Sequence, residues 1–416
     1  MSSFRVIRDT FSSRNLAVLT FTQTLFMFTA FLWWPYWSLF ILKLGATKEQ
    51  LGMLLMIETV TQIASQLTGG VLADRLGRRR VIVYGSILRG VSFLVYLLAT
   101  YWIHLAPGLF LGSAAMLSLP AINALIAESL SPETRSSGFA AYRTVTWMPM
   151  IITSLLGGVL MDYYGVIRGV RLCMLASLVV AIASTILRWR FIQETLESVR
   201  LKEDETSKGL KAVGGFLRGL GRMPRQVWVL TGVAALGGFS MRIVRAFMVI
   251  YAVEVVGLTK TQWGVIGTVV SIISTALTFP GGRLADRIGK KPCITLSRIF
   301  SPLSTIGFTF ASNFWQLGFV RALGGVAQGF GGVVWGPVGG PVWQALVADL
   351  TPMEDRGRLM GLMGSIAGIV STPASWVGGY MYDNISPALP FRTSFVLDII
   401  GTMIFVALLK EPEKSE

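Results

Sequence analysis

The chain has 416 residues, 53% of them hydrophobic and 14% charged, and its mean hydropathy is +0.62. Soluble domains carry about 25% charged residues, so this composition cannot coat a water-facing surface, and membrane lipid is the solvent it selects. The net charge of +15 would suit nucleic acid only as a basic face on a soluble domain; it lies instead between apolar runs, and no nucleic-acid partner is expected.

One histidine, His104, and two cysteines, Cys173 and Cys293, leave no histidine metal site, catalytic triad or disulfide framework. No HExxH, GxSxG or GxxxxGK[ST] motif occurs, so neither an enzyme nor an ATP-driven pump is expected, and no cofactor or metal.

In chain order, the first apolar run, Leu16 to Leu42, is far longer than the roughly 7–15 residues of a signal-peptide core and reads as a spanning helix. A span needs about 20 apolar residues. Twelve segments qualify: 15–42, 48–72, 81–103, 106–129, 137–160, 168–190, 226–254, 260–282, 292–311, 314–348, 357–381 and 388–410. The polar segment 191–225 reads as a cytoplasmic linker between an N-terminal six-helix bundle, 1–190, and a C-terminal one, 226–416. Of the 37 Lys and Arg, 25 fall on the linker side of the spans and 6 in the opposite loops, which predicts cytoplasmic termini.

The halves repeat each other. GGVLADRLGRRR (Gly69–Arg80) returns as GGRLADRIGKKP (Gly281–Pro292), and TKEQLG (Thr47–Gly52) as TKTQWG (Thr259–Gly264), both offset by 212. ALIAESLSPETR (Ala124–Arg135) returns as ALVADLTPMEDR (Ala345–Arg356), and GGVLMD (Gly157–Asp162) as GGYMYD (Gly378–Asp383), offset by about 221. The nine-residue jump is assigned to GFGGVVWGPVGG in the tenth span. Six helices per repeat give both copies one orientation, an arrangement suited to alternating access.

The duplicated segment, Gly70-Val-Leu-Ala-Asp74-Arg75-Leu-Gly77-Arg78-Arg79-Arg80 with its second copy Gly282–Lys291, resembles the signature loop of the major facilitator superfamily. The resemblance covers essentially the whole chain. It implies an all-α fold of twelve transmembrane helices in two six-helix pseudo-repeats, and a monomer. On the residues themselves, Gly70 and Gly77 allow close backbone approach and a tight turn at the helix ends, Asp74 can face a helix N-terminus, and Arg78 can reach Glu128, as Lys290 can reach Asp349. The resemblance implies a cytoplasmic latch of Gly70, Asp74, Arg75, Gly77, Arg78, Arg79, Glu128 and Arg135, repeated by Gly282, Asp286, Arg287, Gly289, Lys290, Asp349 and Arg356. The alternative is a basic anchoring loop with solvated charges.

The resemblance also implies that helices one, four, seven and ten line a cavity. Helix one offers Trp33, Trp34, Tyr36 and Trp37; helix seven offers Arg242 and Arg245, one turn apart. Arginine at that depth is costly and turns inward or pairs, so these residues together can grip an organic anion. The alternative pairs the arginines with Glu58 or Asp398. Arg89, Arg143 and Arg298 are expected to snorkel to the cytoplasmic face. Glu58, Gln62 and Gln66 form a stripe in which Glu58 is the candidate proton carrier and Gln62 a candidate substrate contact. Helix four lacks the arginine usual in proton antiporters, and Pro149 stands far from Gly157-Gly158. The expected function is secondary transport of a small organic solute, coupled to protons or another gradient, with an amphipathic or anionic substrate. Alternatives are a multidrug proton antiporter and, in another class, a non-transporting membrane sensor or lipid scramblase.

Overall fold

The computed structural model describes residues 13–130, 135–195, 223–331, 340–351 and 356–409. Among these the regular structure is entirely helical, because in lipid each N–H and C=O must be satisfied within its own segment. The helices are α1 (Arg14–Trp33), α2 (Trp37–Lys43), α3 (Lys48–Leu76), α4 (Arg78–Leu98), α5 (Leu105–Ala114), α6 (Ser118–Glu128), α7 (Arg135–Trp147), α8 (Met150–Tyr164), α9 (Val166–Phe191), α10 (Arg225–Arg245), α11 (Lys260–Ile288), α12 (Lys290–Gly307), α13 (Phe314–Gly329), α14 (Pro341–Asp349), α15 (Arg356–Ser371), α16 (Ala374–Asn384) and α17 (Leu389–Leu408). Pro35, which lacks an N–H, sits in the 3-10 turn that separates α1 from α2.

Nine helical stretches among the described residues are long and apolar enough to cross a membrane. The other expected spans are more polar or interrupted. α3 carries Glu58, Gln62, Asp74 and Arg75; α12 carries Lys290, Lys291 and Arg298. The tenth divides into α13 and α14 around residues 332–339, which hold most of the stretch assigned to the insertion and lie outside the described residues. Most of the linker, 196–222, lies outside them too.

The chain forms two compact units. Unit 1 is Met1–Ala46, Ile57–Leu201 and Thr259–Thr268; unit 2 is Thr47–Met56, Lys202–Leu258 and Val269–Glu416. Unit 1 has an apolar core of Leu16, Leu19, Val81, Ile82, Ile122, Leu125 and Ile126. The core of unit 2 includes Val227, Leu230, Val233, Ile294, Trp343, Leu346 and Phe405. Outward-facing Phe21, Leu98, Phe310, Trp315 and Phe319 are exposed, as side chains in lipid contact are.

The unit boundaries give the TK-x-Q repeats a physical meaning. Each opens a long helix with a reciprocal capping box. The Gln50 side chain accepts from the Thr47 N–H at 3.0 Å, and the Thr47 hydroxyl accepts from the Gln50 N–H at 3.1 Å. Thr259 and Gln262 repeat this at 2.9 and 3.1 Å. The start of α3 thus belongs to unit 2, and the start of α11 to unit 1.

Two expectations about the signature segment are corrected. It is helix rather than loop: α3 runs on to Leu76, and only Gly77, at φ +94°, separates it from α4. Gly289, at φ +100°, does the same between α11 and α12. An L-residue rarely adopts that backbone, so a single glycine makes the tight turn at the helix ends that was expected of Gly77. The second correction concerns close approach. A Cβ on Gly70 or Gly282 would meet nothing, whereas one on Gly69 would collide with the Leu117 carbonyl, and one on Gly281 would lie 2.8 Å from the Gly329 carbonyl. One residue is a rotation of about 100° on a helix, enough to move the contact to the preceding glycine. Gly70→Ala should therefore be neutral or raise stability by up to about 1 kcal/mol. Gly69→Ala should cost about 1–3 kcal/mol through overpacking. Thermal unfolding of the two variants in detergent checks the difference.

Candidate functional site

Three groups of residues bear on function. The first is the charged cluster at the motif end of α3. Arg78 binds Asp74, and its Nη2 lies 3.4 Å from Oε1 of Glu128. In unit 2, Lys290 binds Asp349. A residue the sequence reading did not single out completes the first cluster. Glu194, just beyond α9, accepts the N–H groups of Arg78 at 2.9 Å and Arg79 at 3.1 Å, and so caps α4. A Cβ on Gly77 would strike this carboxylate. Arg79 and Lys291 cap helix C-termini: Arg79 donates to the Trp189 carbonyl, and Lys291 to those of Val406 and Leu409 at 2.9 and 2.6 Å. Arg75, Asp286 and Arg287 are exposed. The side chains of Arg135 and Arg356 lie outside the described residues.

The second group lies at the opposite end of α3 and α11. In unit 1, the carboxylate of Asp162 accepts the N–H groups of Lys260 (3.2 Å) and Thr261 (2.7 Å) and lies 3.6 Å from the Lys260 ammonium. In unit 2, Asp383 accepts the Glu49 N–H at 2.9 Å, and Lys48 pairs with Glu254 at 3.4 Å. An acid at a helix N-terminus satisfies orphan donors and meets the positive end of the dipole. Both acids end the repeated GG-x-x-x-D motif, and its glycines admit the docked backbone. A Cβ on Gly158 would lie 2.5 Å from the Lys260 carbonyl, and one on Gly379 closer still to that of Lys48. The sequence carried this signal, since the two repeats that dock are the ones that recur.

The third group is a buried cationic cluster in unit 1. Arg188 on α9 is 4% exposed. It donates to the hydroxyls of Thr22 (3.0 Å) and Ser86 (2.9 Å) and to the Gln23 side-chain carbonyl (3.3 Å). Arg89 stands over the Phe26 ring at 4.4 Å, half-buried, in electrostatic contact with Arg188 and Tyr142. Neither guanidinium forms an ion pair among the described residues. Arg89 was expected to snorkel, and Arg188 was not singled out. In unit 2, Arg298, also expected to snorkel, is buried, donates to Thr402 at 3.3 Å and has Asp398 as its acidic neighbour.

The aromatic residues of helix one separate. Trp33 and Trp37 are packed into unit 1, their rings 5.3 Å apart, with the Trp33 indole N–H donating to Ser177 at 3.1 Å. Tyr36 is buried, its hydroxyl directed at the carbonyls of Ser154 (2.7 Å) and Lys260 (3.1 Å). These three serve packing, because α9 supplies a partner for the indole and α8 the Ser154 acceptor, and the expected cavity-facing role is corrected accordingly. Trp34 is exposed, Arg242 half-buried and Arg245 exposed. Glu58 is half-buried and accepts from Gln62 at 3.0 Å.

The Major Facilitator Superfamily profile matches residues 19–259 and 233–416. The chain belongs to the Major Facilitator Superfamily and is an integral membrane transporter. Quinolone resistance protein NorA of Staphylococcus aureus is 28% identical over 195 residues, 46% of this chain and 47% of that protein, so the match spans about half the length of this relative. The uncharacterized MFS-type transporter MJ1317 of Methanocaldococcus jannaschii is 23% identical over 413 residues, 95% of this chain and 94% of that protein. A crystal structure of the nucleoside transporter NupG superposes with a TM-score of 0.72 at 13% identity, covering 94% of this chain and all of that one, which shows the shared fold.

Proposed function

We propose that this transporter is a secondary carrier of small amphipathic organic anions, held in unit 1 by Arg89 with Arg188 behind it. One observation carries the reading: two guanidinium groups stand together in a spanning region, beside Phe26 and Tyr142, without a carboxylate paired to either among the described residues. Charge at that depth marks substrate pathways, and an anion with an apolar body supplies both the missing charge and a face for the rings. Trp34, Gln62, Arg242 and Arg245 remain candidate contacts, and Glu58 the candidate proton carrier. The duplicated signature charges and the two docked helix starts are the gates of alternating access, and the chain is read as two six-helix bundles with cytoplasmic termini.

A second reading, export of amphipathic drugs, is favoured by the similarity to Quinolone resistance protein NorA. A thermal-shift panel of hydrophobic carboxylates and lipophilic cations, on wild type and Arg89→Gln, separates the two. Stabilisation by carboxylates that disappears in the variant supports the anion reading. Stabilisation by cations, equal in both proteins, sinks it and favours the exporter.

A further inference from the structure

A groove of ≈ 840 Å³ lies at the motif end of unit 1, bounded by the α3–α4 turn and the C-terminal part of α9. That volume is within the usual range for small-molecule sites, about 300–1,000 Å³. Its walls differ in character. At the helix ends stand Arg75, Arg79 and Arg80; along the shafts of α4 and α9 stand Tyr84, Ile87, Ile186 and Trp189. Tyr84 is 49% exposed and Trp189 61%, on helices apolar enough to cross a membrane.

The acids in this groove are already engaged. Asp74 is bound to Arg78, and Glu194 accepts two backbone N–H groups of α4. Arg79 donates to the Trp189 carbonyl, a neutral acceptor. Arg75 and Arg80 are exposed and form no ion pair among the described residues. The floor of the groove is therefore cationic and its side wall apolar and aromatic, with Tyr84 near the start of α4 and Trp189 in the last turn of α9, the helix-end positions where interfacial aromatic residues concentrate.

The duplication separates this feature from the gating role. Asp74, Arg75 and Arg78 have acidic or basic counterparts in Asp286, Arg287 and Lys290. Arg80 corresponds to Pro292, and Tyr84 to Leu296, at the same offset of 212. A function common to both copies does not need the extra cation and ring, so they serve something particular to the first.

We propose that this groove binds one anionic glycerophospholipid. Its phosphate lies among Arg75, Arg79 and Arg80, and an acyl chain runs along Tyr84, Ile87, Ile186 and Trp189. An arginine matches phosphate oxygens in a bidentate fork, and basic residues beside a span attract anionic lipid. A free phosphate ester would match the floor but leave the apolar wall unused.

Native mass spectrometry of the delipidated full chain with palmitoyl-oleoyl phosphatidylglycerol tests this, with the corresponding phosphatidylcholine in parallel. One tightly held phosphatidylglycerol is expected, at least fivefold preferred over phosphatidylcholine and resistant to millimolar glycerol 3-phosphate. The preference should fall at least fivefold in Arg75→Gln/Arg80→Gln and persist in the charge-matched control Arg283→Gln/Arg287→Gln. Arg80→Gln alone, which leaves the duplicated residues intact, should weaken it measurably and decides the matter if the double variant does not fold. Equal loss in both double variants would mean diffuse attraction and overturn the proposal. Displacement by glycerol 3-phosphate would make the site one for soluble phosphate esters. If the lipid binds only after Glu203→Gln/Asp204→Asn/Glu205→Gln, the linker occupies the groove and the proposal fails.

Discussion

Gly158→Val should release the first turn of α11 and slow transport at least about fivefold. The valine Cβ would lie 2.5 Å from the Lys260 carbonyl, 2.7 Å from the Tyr36 hydroxyl and 2.8 Å from the Thr261 Cα. Two of these three are backbone atoms, which cannot rotate aside. Overpacking of this kind costs about 1–3 kcal/mol, enough to shift a two-state equilibrium about 5- to 150-fold. The first groups affected are the N–H donors of Lys260 and Thr261, which now reach Asp162. Hydrogen exchange across 259–264 should therefore accelerate by a similar factor. Gly379→Val should do the same at the start of α3, where the Glu49 N–H reaches Asp383. Gly361→Val, on an exposed position where a Cβ meets nothing, is the control and should leave both segments protected. Unchanged exchange in Gly158→Val would show that the docked turn does not depend on glycine at that position.

The same repeats show what the sequence can and cannot reveal. Apolar length located the spans, because a bilayer tolerates little else: 168–190 became Val166–Phe191, and 226–254 became Arg225–Arg245 with its continuation to Val255. The Arg78–Glu128 and Lys290–Asp349 pairs were legible because like residues recur at like spacing. Contacts set by rotation about a helix axis were not. Gly69 rather than Gly70 touches Leu117, and Trp33 turns to Ser177 on α9, choices that depend on how neighbouring helices pack. Glu194 stands 116 residues from the N–H it caps, in a polar stretch with other acids nearby, so nothing local distinguished it. Arg188 read as one of the basic residues ending a span, yet it turns inward because Thr22, Gln23 and Ser86 offer acceptors on α1 and α4.

That inward turn makes Arg188→Met the variant in which stability and recognition should part. A structural arginine would be missed: removing one partner from a buried polar network ordinarily costs about 1–3 kcal/mol for each group left unsatisfied. Here the partners keep other bonds. The Thr22 hydroxyl also donates to the Val18 carbonyl at 2.8 Å, and that of Ser86 to the Ile82 carbonyl at 2.8 Å. Gln23, half-buried, loses the bond its side-chain carbonyl accepts from Arg188. Against this loss, the variant no longer desolvates a cation beside Arg89, and an unpaired charge is costly to bury, so its removal offsets the lost bond. The thermal midpoint should hold or rise, while affinity for an organic anion falls at least tenfold, about 1.4 kcal/mol. Arg188→Lys should recover little, since one ammonium cannot span hydroxyls on two helices as the guanidinium fork does. A lowered midpoint with anion affinity intact would assign Arg188 to packing alone and leave Arg89 without its cationic neighbour in recognition.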